Sequence, residues 1–559
     1  MKRRIGKSIK SIEGPEQIIE ILLENRGINT KKGREEFFDP PKPEEISVKE
    51  VGISDSQLQK AVSRIEEAIK NKEKIIVYGD YDVDGICAAG ILWETLHFLG
   101  AHALPYLPDR FSEGYGLNVD AIKKLKDEDS DLGLIITVDH GITAHEKVDF
   151  AKGIGVDVII TDHHEPGKTL PAAYAIIHTT KISGSAVAWI LSRELIKNWK
   201  LEIGNWKFID DHLGLAALGT IADVLPLLGP NRSIVKHGLG ILRKTTRPGI
   251  DALCREAGVK QEEIDTFHIG FILAPRLNSM GRIEHAISSL RLLCTRSRGR
   301  AEELAFRLGR TNKTRQEKTE EASLHINENF AKAWNNGSLP KLLFVHHESY
   351  EEGVVGIVAG RLVERYHRPA IVISQGEEFS KASARSISGV NIIEIIREAG
   401  EEFFVSVGGH PMAAGFTTKT KDLVHLGQRF KEVSDKIEDG AFIKKTRVDC
   451  EIDFSAISGE LYQELARFAP FGLGNPEPVF LTKGVTVHHA RLVGRDQKHL
   501  KLTLRENKNQ LEGIAFRMGE LYQKLSSDRP VDIVYSVEEN DWNGNTRLQL
   551  KVKDISGYD

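Results

Sequence analysis

Residues 74–92 read KIIVYGDYDVDGICAAGIL, and their reading decides the fold. Ile75, Ile76, Val77 and Tyr78 form a short β-branched and aromatic run that reads as a buried strand, which Gly79 ends. Three carboxylates follow within one turn: Asp80, Asp82 and Asp84. Like charges this close raise the free energy unless cations neutralise them. Gly85 allows a tight exit into a helix read over residues 86–99. Hard oxygen ligands at the carboxyl end of a strand point to a divalent metal site. Alone, the cluster would better suit a solvated acidic loop.

It is not alone. DLGLIITVDHGI (131–142) is a second apolar run, ending on Asp139, His140 and Gly141. GVDVIITDHHEP (155–166) repeats the pattern and delivers Asp162, His163 and His164. Asp223 lies in the Ala/Gly-rich GLAALGTIADVLPL (214–227). Strands that each end on Asp or His, with helical segments between them, describe a parallel α/β sheet with its site along one edge.

In that order, DYDVDG, VDHG, TDHH and ADV resemble the four motifs of the DHH phosphoesterase superfamily. APRLNSMGR, GVVGIVAGRLVERYHRPAIVI, SARSI, GGHPMAAGF and PFGLGNPEPVF narrow the resemblance to the RecJ family of single-strand-specific exonucleases. It runs from about residue 45 to the C-terminus. It implies a two-ion site in which Asp139 bridges, Asp82 and Asp80 hold one ion, and Asp84, His163 and Asp223 hold the other. Oxygen-rich ligation with one imidazole favours Mn²⁺, with Mg²⁺ close behind. His164 resembles the family residue that faces the scissile phosphate, so Asp139 and His164 are the catalytic expectations. Asp162 is expected to orient the neighbouring loop. The expected nucleic-acid and phosphate contacts are Arg110, Arg276, Asn278, Arg282, Ser383, Arg385, Gly408, Gly409 and His410. The chain departs from the family pattern at Ile86 and Cys87, where small hydroxyl residues are usual. It also has Ala in KASARSI where glycines are common, and lacks an Asn-Pro after the third motif.

A length of 559 residues accommodates three or four domains. No apolar run reaches the roughly 18 residues of a spanning helix, and the basic start MKRRIGKSIKSIEG lacks a signal peptide's apolar region. The expectation is a cytoplasmic protein with no membrane contact. Four scattered cysteines (Cys87, Cys254, Cys294, Cys450) exclude a disulfide framework and a Cys-based zinc site. The formal net charge of −4 does not announce nucleic acid. Basic residues concentrate locally, in residues 291–318 and in RLVGRDQKHLKLTLR (491–505), where the competing reading is a solvated face.

The organisation reads as an N-terminal extension (1–45) ending in a Pro-rich linker, a parallel-sheet DHH domain (46–245) and a helical connector (246–335). The connector's 301–333 portion suits a long bridging helix. A smaller α/β DHH-associated domain (336–435) and a C-terminal OB-type β-barrel (436–559) follow. The barrel reads as five short strands with a helix at 518–525, and Asn543-Gly544 marks a hairpin turn. Phe471, Tyr535 and Trp542 are its stacking candidates, with core packing favoured for the first two. The expected function is a metal-dependent exonuclease degrading single-stranded DNA from the 5′ end, in repair and recombination. The expected chain is a monomer that works beside single-strand-binding protein and a helicase. The alternatives are a small-nucleotide phosphodiesterase and a non-catalytic replication scaffold. The barrel and the Arg-rich helix argue against the first, and the complete set of acidic positions against the second.

Overall fold

The computed structural model describes residues 2–8, 14–199, 206–334, 339–525, 529–542 and 545–557. The first of three sheets holds five parallel strands in the order Ala103–Tyr106, Lys74–Tyr78, Leu132–Val138, Asp157–Asp162, Ala175–His178. From Lys74–Tyr78 the chain steps to one side and then returns past its start. The order therefore reverses between Lys74–Tyr78 and Leu132–Val138. Open α/β sheets bind ligands at such a reversal, outside the carboxyl ends of the strands. Those two strands lead directly into Asp80 and Asp139.

Every residue of Lys74–Tyr78 is buried, as its apolar run requires. The helix that follows spans Val83–Phe98 and so begins three residues before the expected Ile86. Asp82 is its cap, accepting the Gly85 N–H at 3.0 Å. A Cβ on Gly85 would lie 2.8 Å from the Asp80 nitrogen, so the turn admits only glycine. Behind the sheet, helices Val83–Phe98, Gly184–Asn198 and Trp206–Ala222 share one core that includes Ile86, Trp189 and Leu215.

The expected bridging helix spans Arg298–Trp334. It packs on helices Pro248–Ala257 and Ala274–Ile283 of the connector and on Glu352–Tyr366 of the second unit. The second sheet runs Phe404–His410, Ala413–Lys419, Phe379–Arg385, Ala370–Ser374, Leu343–His347, with only the last pair parallel. KASAR lies on the strand Phe379–Arg385. Strand alternation puts Ser383 and Arg385 on one face.

The strand Phe480–Val493 pairs with both His499–Glu506 and Val531–Trp542, which closes five strands into a barrel. The helix expected at 518–525 shrinks to one turn, Gly519–Leu521. The Asn543-Gly544 turn and the Trp542 side chain lie outside the described residues. The N-terminal segment is not a separate extension. Strand Lys2–Ser8 pairs in parallel with Lys445–Glu451. Helix Pro15–Asn25 buries Ile18, Leu22 and Leu23 beside Cys450, Phe480 and Tyr535. The Pro-rich stretch is held down: Arg193 donates to the carbonyls of Pro43 and Ile46, and Ser233 donates to that of Pro41. Among the described residues no helix is long and apolar enough to cross a membrane.

Candidate metal centre and phosphate cleft

Asp80, Asp82, Asp84, Asp139, His163 and Asp223 converge at the strand ends. His163 Nε2 lies 3.0 Å from Asp139 Oδ1, 3.5 Å from Asp223 Oδ2 and 3.8 Å from Asp84 Oδ2. Three overlapping ligand groups form: Asp80, Asp82 and Asp139; Asp84, His163 and Asp223; Asp139, His163 and His164. Asp139 reaches into two of them. Its backbone has φ 68, an uncommon conformation for a non-glycine residue. Gly184 leaves it room, because a Cβ there would sit 2.3 Å from Asp139 Oδ1.

Electrostatics show what the site lacks. Burial pushes the Asp139 carboxyl far above its usual range, and the charges of Asp84, Asp82, Asp80 and Asp223 push it further. Burial and Asp82 do the same to Asp80, and burial and Asp84 raise Asp82. Asp223 rises to about 8, through burial and then through Asp84 and Asp82. Burial pushes the His163 imidazole down, towards the neutral, ligating form. Asp80 Oδ1, Asp139 Oδ1 and His163 Nε2 are buried without a hydrogen-bond partner. Unpaired oxygens, surplus charge and one neutral imidazole fit divalent cations. Asp84, 1% exposed, differs from the others. It accepts the Gly184 and Ser185 N–H groups at 2.7 and 3.1 Å, at the amino end of a helix, where a carboxylate is favoured.

Asp162 organises the third loop. Oδ1 accepts the backbone N–H groups of His163 and His164 and the His164 Nδ1–H at 2.8 Å, and Oδ2 accepts the Ile142 N–H. Burial lowers the His164 pKa but Asp162 more than offsets it, and the imidazole rises to about 9. Asp162 thus pushes His164 towards its cationic form. His140 is its opposite: burial drives it down to about 4, and Nε2 bonds the Tyr78 carbonyl at 2.9 Å. It props the strands and takes no place among the ligands.

Five of the expected phosphate residues line one cleft of about 590 Å³ between the first two units: Arg110, Arg282, Ser383, Arg385 and Gly408. The Arg385 guanidinium holds Ser383 Oγ at 3.3 Å and the Ala384 carbonyl at 2.8 Å. None of Arg110, Arg282 and Arg385 has a carboxylate within ion-pair distance among the described residues. Burial, then Arg110, lowers Arg282 to about 10, and burial and Arg110 lower Arg385. A group of cations without counter-ions is built for an anion. The other four lie elsewhere. Arg276 is taken up by Glu256 at 2.6 Å. Asn278 accepts the Val83 N–H at 3.1 Å and so pins the metal-bearing loop. Gly409 and His410 continue the exposed strand beyond Gly408, and neither lines the cleft.

Three aromatic residues escaped the sequence reading. Tyr115 lies 55% exposed over the site, its hydroxyl 3.4 Å from His164 Nε2 and 3.5 Å from the Asp139 carbonyl. Its ring meets Tyr81 edge-on at 6.3 Å, and the Arg110 guanidinium lies 5.1 Å from the centre of the Tyr81 ring. The available signal was an aromatic between two glycines, Gly114 and Gly116, both at positive φ. On the barrel, Tyr535 is fully buried and Phe471 partly buried, while Phe516 is 51% exposed and packs edge-on against His499. Nothing in sequence alternation separates an outward Phe516 from an inward one.

Comparison with known proteins places the domains in a family. Residues 74–220 match the DHH family N-terminal domain, residues 339–439 the DHHA1 domain and residues 448–554 the RecJ OB domain. The single-stranded-DNA-specific exonuclease RecJ of Bacillus subtilis (strain 168) is 36% identical over 559 residues, covering 96% of this chain and 68% of that protein. RecJ of Escherichia coli (strain K12) is 32% identical, covering 89% and 90%. The crystal structure of Thermus thermophilus RecJ in complex with Mn²⁺ superposes with a TM-score of 0.82 at 28% identity, covering 99% of this chain and 79% of that one. The chain belongs to the RecJ family of single-stranded-DNA-specific exonucleases.

Proposed function

We propose that this protein hydrolyses the phosphodiester bonds of single-stranded DNA from the 5′ end, using two Mn²⁺ or Mg²⁺ ions. The observation that carries the reading is the pairing of a crowded, partner-poor carboxylate cluster with a cleft whose Arg110, Arg282 and Arg385 have no carboxylate within ion-pair distance among the described residues, its one lining acid, Glu352, being taken up by Lys381. One suits metals and the other a terminal phosphate. Two such ions supply a hydroxide near neutral pH and neutralise charge on the leaving oxygen. Asp139 would be the ligand held in common, Asp80 and Asp82 would hold one ion, and Asp84, His163 and Asp223 the other. His164, held cationic by Asp162, donates to the phosphoryl oxygens as negative charge accumulates. Tyr115 limits where His164 points. Arg110, Arg282, Ser383 and Arg385 hold the chain end, so that hydrolysis starts there.

The barrel supplies a basic and aromatic platform for the rest of the strand, through Phe516, His499 and the 491–505 segment. A small-nucleotide phosphodiesterase would not need one. Unwinding by a helicase would supply substrate, and single-strand-binding protein would meet the same strand. The working assembly proposed is a monomer. The test is Mn²⁺-dependent digestion of a strand labelled at either end, beside its duplex and an RNA copy. Mononucleotide release from the 5′ label of the single DNA strand is expected. Equal digestion of the duplex, or release from the 3′ label first, overturns the reading.

A further inference from the structure

Arg232 lies on helix Gly229–Leu242 of the first unit, is 1% exposed, and has no carboxylate partner among the described residues. Its guanidinium donates instead to five carbonyls. Nε reaches Phe37 at 2.6 Å, Nη1 reaches Phe468 and Pro470 at 3.0 and 3.4 Å, and Nη2 reaches Ala469 and Arg467 at 2.9 and 3.4 Å. The group also lies 3.9 Å from the centre of the Phe37 ring. The carbonyls of Phe468 and Pro470 are shared with Asn475 Nδ2, at 2.7 and 2.9 Å. Asn475 is 0% exposed, and its Oδ1 accepts the Arg26 Nε–H at 2.7 Å. One cation thus joins the metal-bearing unit, the N-terminal segment and the barrel unit.

The same PFGLGNPEPVF run that carries Asn475 touches the metal centre's own loop. The Leu473 carbonyl accepts the Leu227 N–H at 2.7 Å, four residues beyond Asp223. A Cβ on Gly472 would fall 2.7 Å from Leu227 Cδ1, so the two loops lie in direct contact. A buried cation satisfied only by carbonyl dipoles costs free energy unless its donors are all matched. Five donors in a fixed fork match the five carbonyls at this joint, a set that a lysine cannot reproduce. A merely tethered barrel would need no such joint.

We propose that Arg232 is a positioning residue for long strands: it fixes the barrel at one distance from the metal centre, so that a strand lying on the platform arrives in register with its terminus in the arginine cleft. The proposal rests on the exonuclease reading above, but the joint can be tested without it. Hydrogen exchange at the Leu227 amide reports the joint directly, with Ile136 in the sheet as the internal control. In Arg232→Met the Leu227 amide should exchange roughly 10- to 100-fold faster while Ile136 is unchanged. On substrates, KM for a long strand should rise by roughly the same factor, while kcat on a trinucleotide and Mn²⁺ affinity stay within about twofold. Arg232→Lys should recover only part of this. Asn475→Ala attacks the same carbonyls from the other side and serves if Arg232→Met does not fold. Unchanged exchange at Leu227 in both variants, or equal losses on long and short strands, overturns the proposal. If the wild type cleaves no strand at all, the function reading fails, and the exchange result still decides whether Arg232 fixes the joint.

Discussion

Asp162 Oδ1 and His164 Nδ1 stand 2.8 Å apart, and the same oxygen accepts the backbone N–H groups of both His163 and His164. One carboxylate therefore fixes the ligand loop and the charge of its neighbouring imidazole together. His164→Ala should lower kcat by about 10²- to 10⁴-fold, the usual reach of a proton-transfer or charge-stabilising side chain. Mn²⁺ binding by calorimetry should persist. Asp162→Asn should damage both, because it also loosens His163. Loss of Mn²⁺ binding in His164→Ala would instead place His164 among the ligands.

The acidic cluster should make the metal-free protein less stable than it could be. Asp139→Asn removes a carboxylate raised far above its usual range by burial and by its acidic neighbours. Its Tm in chelator should exceed that of the wild type, and its Tm gain with Mn²⁺ should shrink. Hydrolysis should vanish; more than a tenth of wild-type turnover in saturating Mn²⁺ would sink the bridging role. Gly184→Ala should mimic the loss of activity without replacing a ligand, since its methyl would occupy the space of Asp139 Oδ1.

The first sheet, the convergence of Asp80, Asp139 and Asp162 at its strand ends and the long helix were legible because each rests on local pattern. Apolar runs ending on acids specify parallel strands, and a low-glycine charged run specifies a helix. What the sequence concealed depends on distant contacts. Asn278 reads as a polar helix residue, and only packing against Val83 gives it a task. Arg276 becomes a structural residue because Glu256 lies beside it, 20 positions back. The first 45 residues look detachable, yet Ile18 and Leu22 fill the barrel's core from more than 400 positions away. Periodicity reports which face is apolar and says nothing of what covers it.

That shared core changes how the barrel should be removed. Cutting only after residue 435 would leave Ile18, Leu22 and Leu23 exposed. A chain reduced at both ends, to about residues 42–440, is the better test of the platform. It should keep activity on very short strands and lose affinity for long ones, with a weaker salt dependence. Phe516→Ala in the full chain should cost about 1–3 kcal/mol of long-strand binding, the value of one stacked base. Unchanged affinity would move the platform to another face of the barrel.

A buried network offers a pH test of the fold. Burial would raise the Glu94 carboxyl, but His212 and Arg247 more than offset it and hold it down to about 2. Arg247 Nη2 lies 2.6 Å from Glu94 Oε2, and His212 Nε2 lies 2.9 Å from it. Burial lowers the His212 pKa, so near neutral pH the imidazole donates its N–H without charge. A lowered acid contributes stability above its unfolded value, near 4.5, and loses it as pH falls towards 2. Removing one partner of such a pair costs about 3–5 kcal/mol. Glu94→Gln should thus be less stable by that order at pH 7 in denaturant titration, and the gap should close below about pH 4. A gap independent of pH would mean that packing, not charge, holds the network.

On the proposed function the chain end would be read where Arg385 meets Ser383, and the cleft gives this a discriminating test. No acid pairs with Arg385 among the described residues, so its charge is not spent on an ion pair that holds its strand. A charge-assisted hydrogen bond contributes about 1.5–3 kcal/mol, and about 1.4 kcal/mol is a factor of ten. Arg385→Ala should therefore lower kcat/KM on 5′-phosphorylated strands by roughly 10- to 150-fold. On 5′-hydroxyl strands the loss should be much smaller, because the anion that Arg385 holds is absent. Arg282→Lys should show the same split more weakly, since a point charge replaces the fork that reaches the Gly353 carbonyl. Equal losses on both ends would assign Arg385 to shaping its strand. The terminal phosphate would then have to be held by Arg110 and Arg282 alone, and double substitution of that pair would decide between the two.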